Sequence, residues 1–170
     1  MSDDDHKIDA RQFRQCMGRF ATGVTVVTGE LNDEIRGMTA NAFLSVSLDP
    51  PLVLVSVSHK AHMHSFLQQT MSYGVSILNE SQIDLSNHFA GQHQEDLEIS
   101  FVRHADMPLV EGAVAHIVTT VVDIHEVGDH SLYIGKVIYL NWHDQRPLLF
   151  YAGSYSQLKS EAIQAYYYSW

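Results

Sequence analysis

The stretch "AVAHIVTTVVDIHEVGDHSLYIGKVIYLNWH", residues 113–143, holds two long runs rich in Val, Ile, Thr and Tyr, joined through Gly128, Asp129 and His130. Such residues suit a pleated, half-buried surface, and "GD" between two such runs is a hairpin signal. The pattern extends outward in both directions. Upstream, "YGVSIL" (73–78) and "GVTVVTGE" (23–30) read as strands, and "LNDE" (31–34) is turn chemistry leading to a further strand around Ile35 to Thr39. "AFLSVSL" (42–48) and "PLVLVSV" (51–57) flank a turn at Asp49-Pro50-Pro51, where proline fixes φ and restricts the residue before it. In the second run Leu52, Val53, Leu54, Val55 and Val57 are apolar on both faces, which predicts a central strand covered on both sides. "PLLFYAGSYSQL" (147–158) adds a short strand and a turn. Seven or so strands, few helices and no βαβ rhythm predict a mainly β domain, a closed or nearly closed antiparallel barrel.

Three short helices interrupt the strands. Asp9 with Gln12 has capping-box spacing, and Phe13, Cys16, Met17 and Phe20 share one face of a helix expected to end near Gly23. On that face Cys16 reads as a small buried hydrophobe. Residues from His59 to Gln69 and from Ser81 to Phe89 also take a helical period. Residues 91–112 are polar and read as a long excursion. The expected organisation is an acidic tail over residues 1–8 and one domain over 9–170.

Composition excludes several classes. Ten Lys+Arg against 20 Asp+Glu give a net charge of −10, so nonspecific nucleic-acid binding is not expected. The single cysteine fits a reducing compartment, no apolar run is long enough to span a bilayer, and "MSDDDHKID" has no signal-peptide core. A cytoplasmic protein without membrane contact is the expectation. His59, His62 and His64 in "HKAHMH" invite a metal reading. On a helix His59 and His62 would share a face while His64 points elsewhere, and no carboxylate or cysteine stands at ligand spacing, so no metal is expected. The GxGxxG and P-loop cradles are absent.

The segment with most chemistry is "GMTANA" (37–42), small and polar directly before two strands. Short side chains let backbone approach a flat ring edge, and Thr39 and Asn41 add hydrogen bonds that a buried polar edge requires. Ser56 and Ser58 alternate to one side of a strand end, and Lys60 enters the first turn of the next helix, so hydroxyls, an ammonium and a helix N-terminus form a phosphate site. On pattern alone, a tight strand crossing at "MTANA" and a simple helix cap at Ser58 fit equally well.

Together, "FRQCMGRFATGVTVVTG", "GMTANAFLSVSLDPPLVLVSV", "SNHFAGQ", "GDHSLYIGKV" and "PLLFYAGSYSQL" resemble the flavin reductase family, the small reductase components of two-component phenol or 4-hydroxyphenylacetate monooxygenases. The resemblance implies a Greek-key split β-barrel, a homodimer, and hydride transfer from NADH to FAD or FMN that supplies a separate oxygenase. It implies that Met38, Thr39, Ala40, Asn41 and Ala42 lie along the isoalloxazine. Ser56, Val57, Ser58 and Lys60 would surround the ribityl chain and phosphate, and Phe89, Ala90 and Gly91 the distal flavin or its adenylate. His130 in "GDH", with Gly153 and Tyr155 in "GSY", would meet NADH, His130 as the catalytic candidate; a hairpin-turn role for His130 fits the same residues. "NHFAGQ" resembles reductases that use FAD, without separating FAD from FMN. The rival reading is a flavin-holding electron carrier or sensor on the same barrel. Residues from Val114 to Ile124 and Leu132 to Leu140 carry more apolar surface than one small barrel absorbs, which fits a second copy. The aromatic "AIQAYYYSW" end is expected to pack on that partner or over the flavin.

Overall fold

A computed structural model describes residues 8–159; the acidic tail before Ile8 and the "AIQAYYYSW" end lie outside the described residues. In chain order the elements are α1 (Ala10–Met17), β1 (Thr22–Gly23), β2 (Thr25–Leu31), β3 (Glu34–Ala40), β4 (Phe43–Leu48), β5 (Pro51–Ser58), α2 (His62–Thr70), β6 (Ser72–Ile77) and α3 (Ile83–Phe89). They continue with β7 (Phe101–His104), β8 (Met107–Val110), β9 (Ala115–Val127), β10 (His130–Trp142), β11 (Leu149–Tyr151) and β12 (Ser154–Ser156). The main sheet is antiparallel with seven strands in the order β3-β2-β6-β9-β10-β5-β4. The two long runs of the opening stretch are β9 and β10, paired from Ala115–Trp142 to Val127–His130.

The two edge strands of that sheet, β3 and β4, are consecutive in the chain and separated only by Asn41 and Ala42. A flat sheet of this width spans about 29 Å at about 4.8 Å per strand gap, whereas three Cα steps reach about 11 Å. The sheet therefore curls until its edges meet at Asn41–Ala42. Ser56 N–H donates to the Ala42 carbonyl (3.1 Å) and the Thr25 hydroxyl to the Ala40 carbonyl (2.7 Å), which holds the corner to strands on both sides.

The curl encloses Val27, Val55, Val57, Phe66, Leu67, Tyr73, Val75 and Tyr133, all buried. Tyr73 is fully buried and donates its hydroxyl to the Tyr133 carbonyl at 3.1 Å, and desolvation holds its phenol far above the usual range. Gly135 leaves the space this ring needs, since a Cβ there would stand 2.6 Å from the Tyr73 hydroxyl and 2.7 Å from Thr119 Cβ.

Several expectations change. β5 is not covered on both sides: Val53, Val55 and Val57 are buried, while Leu52 and Leu54 are half-buried on the opposite face, where Leu54 and Ser56 line an open cavity. Helix α1 starts as expected, with Asp9 accepting from Arg11 N–H (3.3 Å), but stops at Met17, and Gly23 belongs to β1, paired with Leu149. Its apolar face is not packed on the core. Phe13, Met17 and Phe20 are 57%, 52% and 72% exposed, and Cys16 is exposed rather than buried. The polar stretch 91–112 contains the β7–β8 hairpin, which buries Met107, Leu109 and Val110. Thr28 donates to the Pro108 carbonyl (2.5 Å), Val110 N–H to Ser76 Oγ (2.9 Å), and His116 Nε2 to the Val110 carbonyl (2.7 Å).

Two consequences are measurable. Gly135→Ala forces a methyl against two buried groups and should cost about 1–3 kcal/mol, lowering Tm by about 2–4 °C per kcal/mol in a thermal melt; an unchanged Tm would mean that Tyr73 and Thr119 give way freely. Burial holds the His116 pKa below the usual histidine value, so the folded state resists a proton that the unfolded chain accepts near pH ~6.5. Stability is full above that pH and falls as pH drops below it toward the lower folded value. Urea midpoints at pH 7.5 and 5.5 should show this loss, and His116→Gln should flatten the slope.

Candidate active site

Where the sheet edges meet, two cavities open and share Asn41 and Phe150. The larger, about 1150 Å³, runs between α1 and the β4–β5 face. Its walls are apolar, with Phe13, Met17 and Phe20 on one side and Phe43, Leu44, Leu54 and Leu132 on the other. That position explains why α1 keeps its apolar face out of the core. The polar part of the lining is Arg14, Thr22, Thr25, Asn41 and Ser56, with Ala42 and Gly153 beside them. The smaller cavity, about 190 Å³, is lined by Val24, Thr39, Asn41, Ser86, Ala90, Phe150 and Tyr155.

A chain of hydroxyls braces the smaller cavity. Thr39 Oγ1 donates to the Ser86 carbonyl at 2.7 Å, tying the end of β3 to α3. Tyr155 donates its hydroxyl to Asn87 Oδ1 at 2.9 Å and stands 2.8 Å from Ser86 Oγ, tying α3 to β12. The β11–β12 hairpin that presents Tyr155 turns at Ala152 and Gly153, both at positive φ (51° and 83°), as a two-residue hairpin of this hand requires. Ser86 is fully buried.

Thr39, Asn41, Ala90 and Tyr155 thus meet at one cavity, and Asn41, Ala42, Ser56 and Gly153 at the other. The remaining sequence candidates stand elsewhere. Met38 and Ala40 pack half-buried against the barrel core. Val57 is 1% exposed with its side chain in that core, so any contact it makes outward is through its backbone. Phe89 covers Gly37, where a Cβ would lie 2.5 Å from its ring, and Gly91 sits at φ +97° just beyond α3.

Ser58, Lys60 and His130 form a separate group at the far end of β5. Ser58 is the cross-strand partner of His130 and accepts from Lys60 N–H at 3.3 Å. Lys60 lies before α2 rather than in its first turn, and the N-cap, Ala61, supplies no side-chain bond. His130 Nδ1 pairs with Asp129 Oδ1 at 2.7 Å, which holds the Asp129 carboxyl below the usual range.

One cluster was invisible in the sequence. His59 and His64 do not diverge: both bring Nε2 to the buried Ser131 hydroxyl, at 3.1 and 2.9 Å, with ring centroids 4.9 Å apart. His59 precedes α2, so helical spacing does not govern it. Only the pairing of Val57 with Ser131 brings the three together, and no local signal encodes that register.

The family described as "Flavin reductase like domain" matches residues 17–159. The chain is 48% identical over 158 residues to a Rhodococcus protein named NADH-dependent flavin reductase, covering 91% of this chain and 90% of that one. It is 38% identical over 139 residues to the reductase component of 4-hydroxyphenylacetate 3-monooxygenase from Thermus thermophilus, covering 82% and 89%. The solved structure of flavin reductase PheA2 in its native state superposes with a TM-score of 0.88 at 48% identity, covering 90% of this chain and all of that one.

Thr39→Val keeps the shape but removes the hydroxyl that joins β3 to α3. Because the Ser86 carbonyl still accepts Ala90 N–H (3.0 Å), the loss should be modest, about 1 kcal/mol and about 2–4 °C in Tm. A fall several times larger would show that the cavity wall itself depends on this bond.

Proposed function

The chain belongs to the flavin reductase-like family, and from that premise we propose that it is an NADH-dependent flavin reductase supplying reduced FAD or FMN to a separate aromatic-ring monooxygenase. The observation that carries the reading is the apolar cleft of about 1150 Å³ with a polar rim at Asn41, Ala42 and Ser56. A tricyclic flavin has two apolar faces and one polar edge, so a cleft with slab-like apolar walls and hydrogen-bonding groups on one side fits it. When bound, the flavin accepts a hydride and later passes its electrons on.

The chain's own residues bind, orient and exclude water. Leu44, Leu54 and the α1 face remove water from the ring faces, while Asn41 and the backbone at Ala42 satisfy the polar edge. Ser56, the backbone of Val57, Ser58 and Lys60 lead along β5 toward the phosphate end, and Ala90 and Gly91 border the more distant part. Met38, Ala40 and Phe89 act from behind, holding the corner and α3 in place. His130, oriented by Asp129, together with Gly153 and Tyr155 receives the nicotinamide dinucleotide. Fixing two reactants face to face supplies most of the rate, because hydride transfer itself requires no protein acid in its first half.

The working form is a homodimer of split Greek-key barrels. Val46, Ile138, Leu140 and Trp142 are 45%, 56%, 53% and 73% exposed, an apolar surface that a second copy would cover. Among the described residues no helix is long and apolar enough to cross a membrane, and the site of action is the cytoplasm, beside the oxygenase.

The decisive assay follows NADH oxidation at 340 nm with and without FAD, FMN or riboflavin. Saturable stimulation by added flavin is expected, and Asn41→Leu should raise the flavin KM about tenfold, the loss of roughly one good hydrogen bond in a desolvated site, with a smaller change in kcat. Protein that retains flavin but leaves it oxidised in excess NADH would turn the reading to an electron carrier or sensor.

A further inference from the structure

Helical spacing sends His64 away from His59, but the register of β5 with β10 gives the two rings a common apex. His59 Nε2 stands 3.1 Å and His64 Nε2 2.9 Å from the hydroxyl of Ser131, a fully buried residue. The backbone on both sides is pinned: His59 N–H donates to the Asp129 carbonyl (3.0 Å), and the Tyr133 hydroxyl to the His64 carbonyl (2.9 Å). His59 is exposed and His64 half-buried, so solvent reaches the pair. The Ser131 hydroxyl has one proton, so it donates to one imidazole and accepts from the other, and the two neutral rings must hold opposite tautomers. A cation that takes a lone pair from each Nε2 removes that demand. Two other ring pairs stand close, His88–His93 at 5.0 Å and His104–His116 at 5.9 Å. There a ring nitrogen serves the backbone instead: His88 Nδ1 accepts from Gln94 N–H (3.4 Å), and His116 Nε2 donates to the Val110 carbonyl (2.7 Å).

We propose that His59, His64 and Ser131 form a binding site for a divalent cation of the Zn²⁺ class, which takes imidazole ligands. Around such an ion, with bonds of about 2.0–2.1 Å, neighbouring ligand atoms of a tetrahedron stand about 3.3–3.4 Å apart. The two nitrogen–oxygen separations here need open only slightly, and the exposed His59 ring has room to turn. Among the described residues no three His, Cys, Asp or Glu side chains stand together as a metal group. Two imidazoles and the hydroxyl therefore supply three positions and water the fourth, a weaker site than a structural zinc centre. The electrostatics favour a cation. The chain carries −10, Glu126 stands across from Ser131 on β9, and the Asp129 carboxyl, held below the usual range by His130, also interacts with His59. Lys60 opposes it, but its exposed side chain keeps the ammonium in water. Mg²⁺ prefers oxygen ligands and is excluded. An occupied site ties the chain before α2 to the start of β10. On the flavin reductase reading above, it also draws Asp129 away from His130 and so slows NADH oxidation.

Calorimetric titration of the untagged full chain with ZnCl₂ near neutral pH reads the site directly. Half the ligand set of a structural zinc centre should give a Kd of about 1–100 µM, and MgCl₂ should give no binding in the same range. His59→Ala and His64→Ala should each weaken Zn²⁺ uptake by about tenfold or more, whereas His62→Ala, an exposed histidine of the same segment outside the cluster, should bind like the wild type. His59 is exposed, so His59→Ala serves if His64→Ala does not fold. A Kd above about 1 mM, or His59→Ala binding like the wild type, overturns the site; the second result assigns the cation to other histidines. In the FMN-supported assay, Zn²⁺ at about ten times its Kd should lower wild-type NADH oxidation by about half or more and leave His59→Ala at its metal-free rate. Full wild-type turnover at that occupancy overturns the coupling to activity but leaves the site. Failure of NADH oxidation with every flavin in the absence of metal overturns the reductase reading, and the calorimetry then still decides the site.

Discussion

Two residues, Asn41 and Ala42, join the opposite edges of a seven-stranded sheet, and the rest of the molecule follows from that short link. It rules out a flat sheet and rolls one face inward, which places Val27, Val55, Tyr73 and Tyr133 in a common interior. It also brings the outward face of β5 within reach of α1 and β11. A chain that must turn this sharply cannot fill the corner with large side chains. The space left there is the cleft. The small polar residues at 39–42 are therefore a geometric requirement of closure as well as the rim of a site, and the same composition serves both.

The site is built on shared hydrogen bonds. Ser86 alone takes part in four: its N–H donates to the Gln82 carbonyl, its carbonyl accepts from Thr39 and from Ala90 N–H, and its hydroxyl meets Tyr155. Three elements far apart in sequence thus converge on one fully buried serine. Such a junction holds its geometry because its members share partners: the Ser86 carbonyl keeps Ala90 N–H when Thr39 is removed, so losing one bond loosens the junction without stranding that carbonyl. Rigidity at the smaller cavity's wall is obtained without a charge, whereas Arg14 lines the larger cleft and Lys60, Asp129 and His130 stand at the far end of β5.

Much of this was legible in the chain. β9 and β10, the Asn32–Asp33 turn and the strands around Pro50 all announce themselves by composition, because β-branched runs and turn residues act locally. The β7–β8 hairpin did not. Its turn at Ala105–Asp106 takes positive φ at both residues (47° and 62°) without the glycine that normally marks such a turn, and its strands are only four residues each. The exposure of Cys16 was also misread: amphipathic spacing in α1 reports an apolar face but not what that face meets, and here it meets a cleft. The resemblance located Asn41, Ser56, Gly153 and Tyr155 around the cavities, whereas the Ser86–Tyr155–Asn87 bonding and the His59–Ser131–His64 contact depend on register and tertiary approach, which no local pattern encodes.

The charge of the chain bears on how such a cleft works. At −10 the protein repels, at long range, the phosphates of any nucleotide that approaches it. On the proposed reading, affinity for such a ligand arises at short range, from the apolar walls, hydrogen bonds at Asn41 and Ser56, and the exposed Arg14 guanidinium in the cleft lining. A ligand held in that way is released without separating a buried ion pair, the step that makes strongly paired complexes slow to dissociate. An enzyme that must give up its reduced product to another protein needs that property. The acidic surface, adverse for capture, is thus consistent with a site designed to let go.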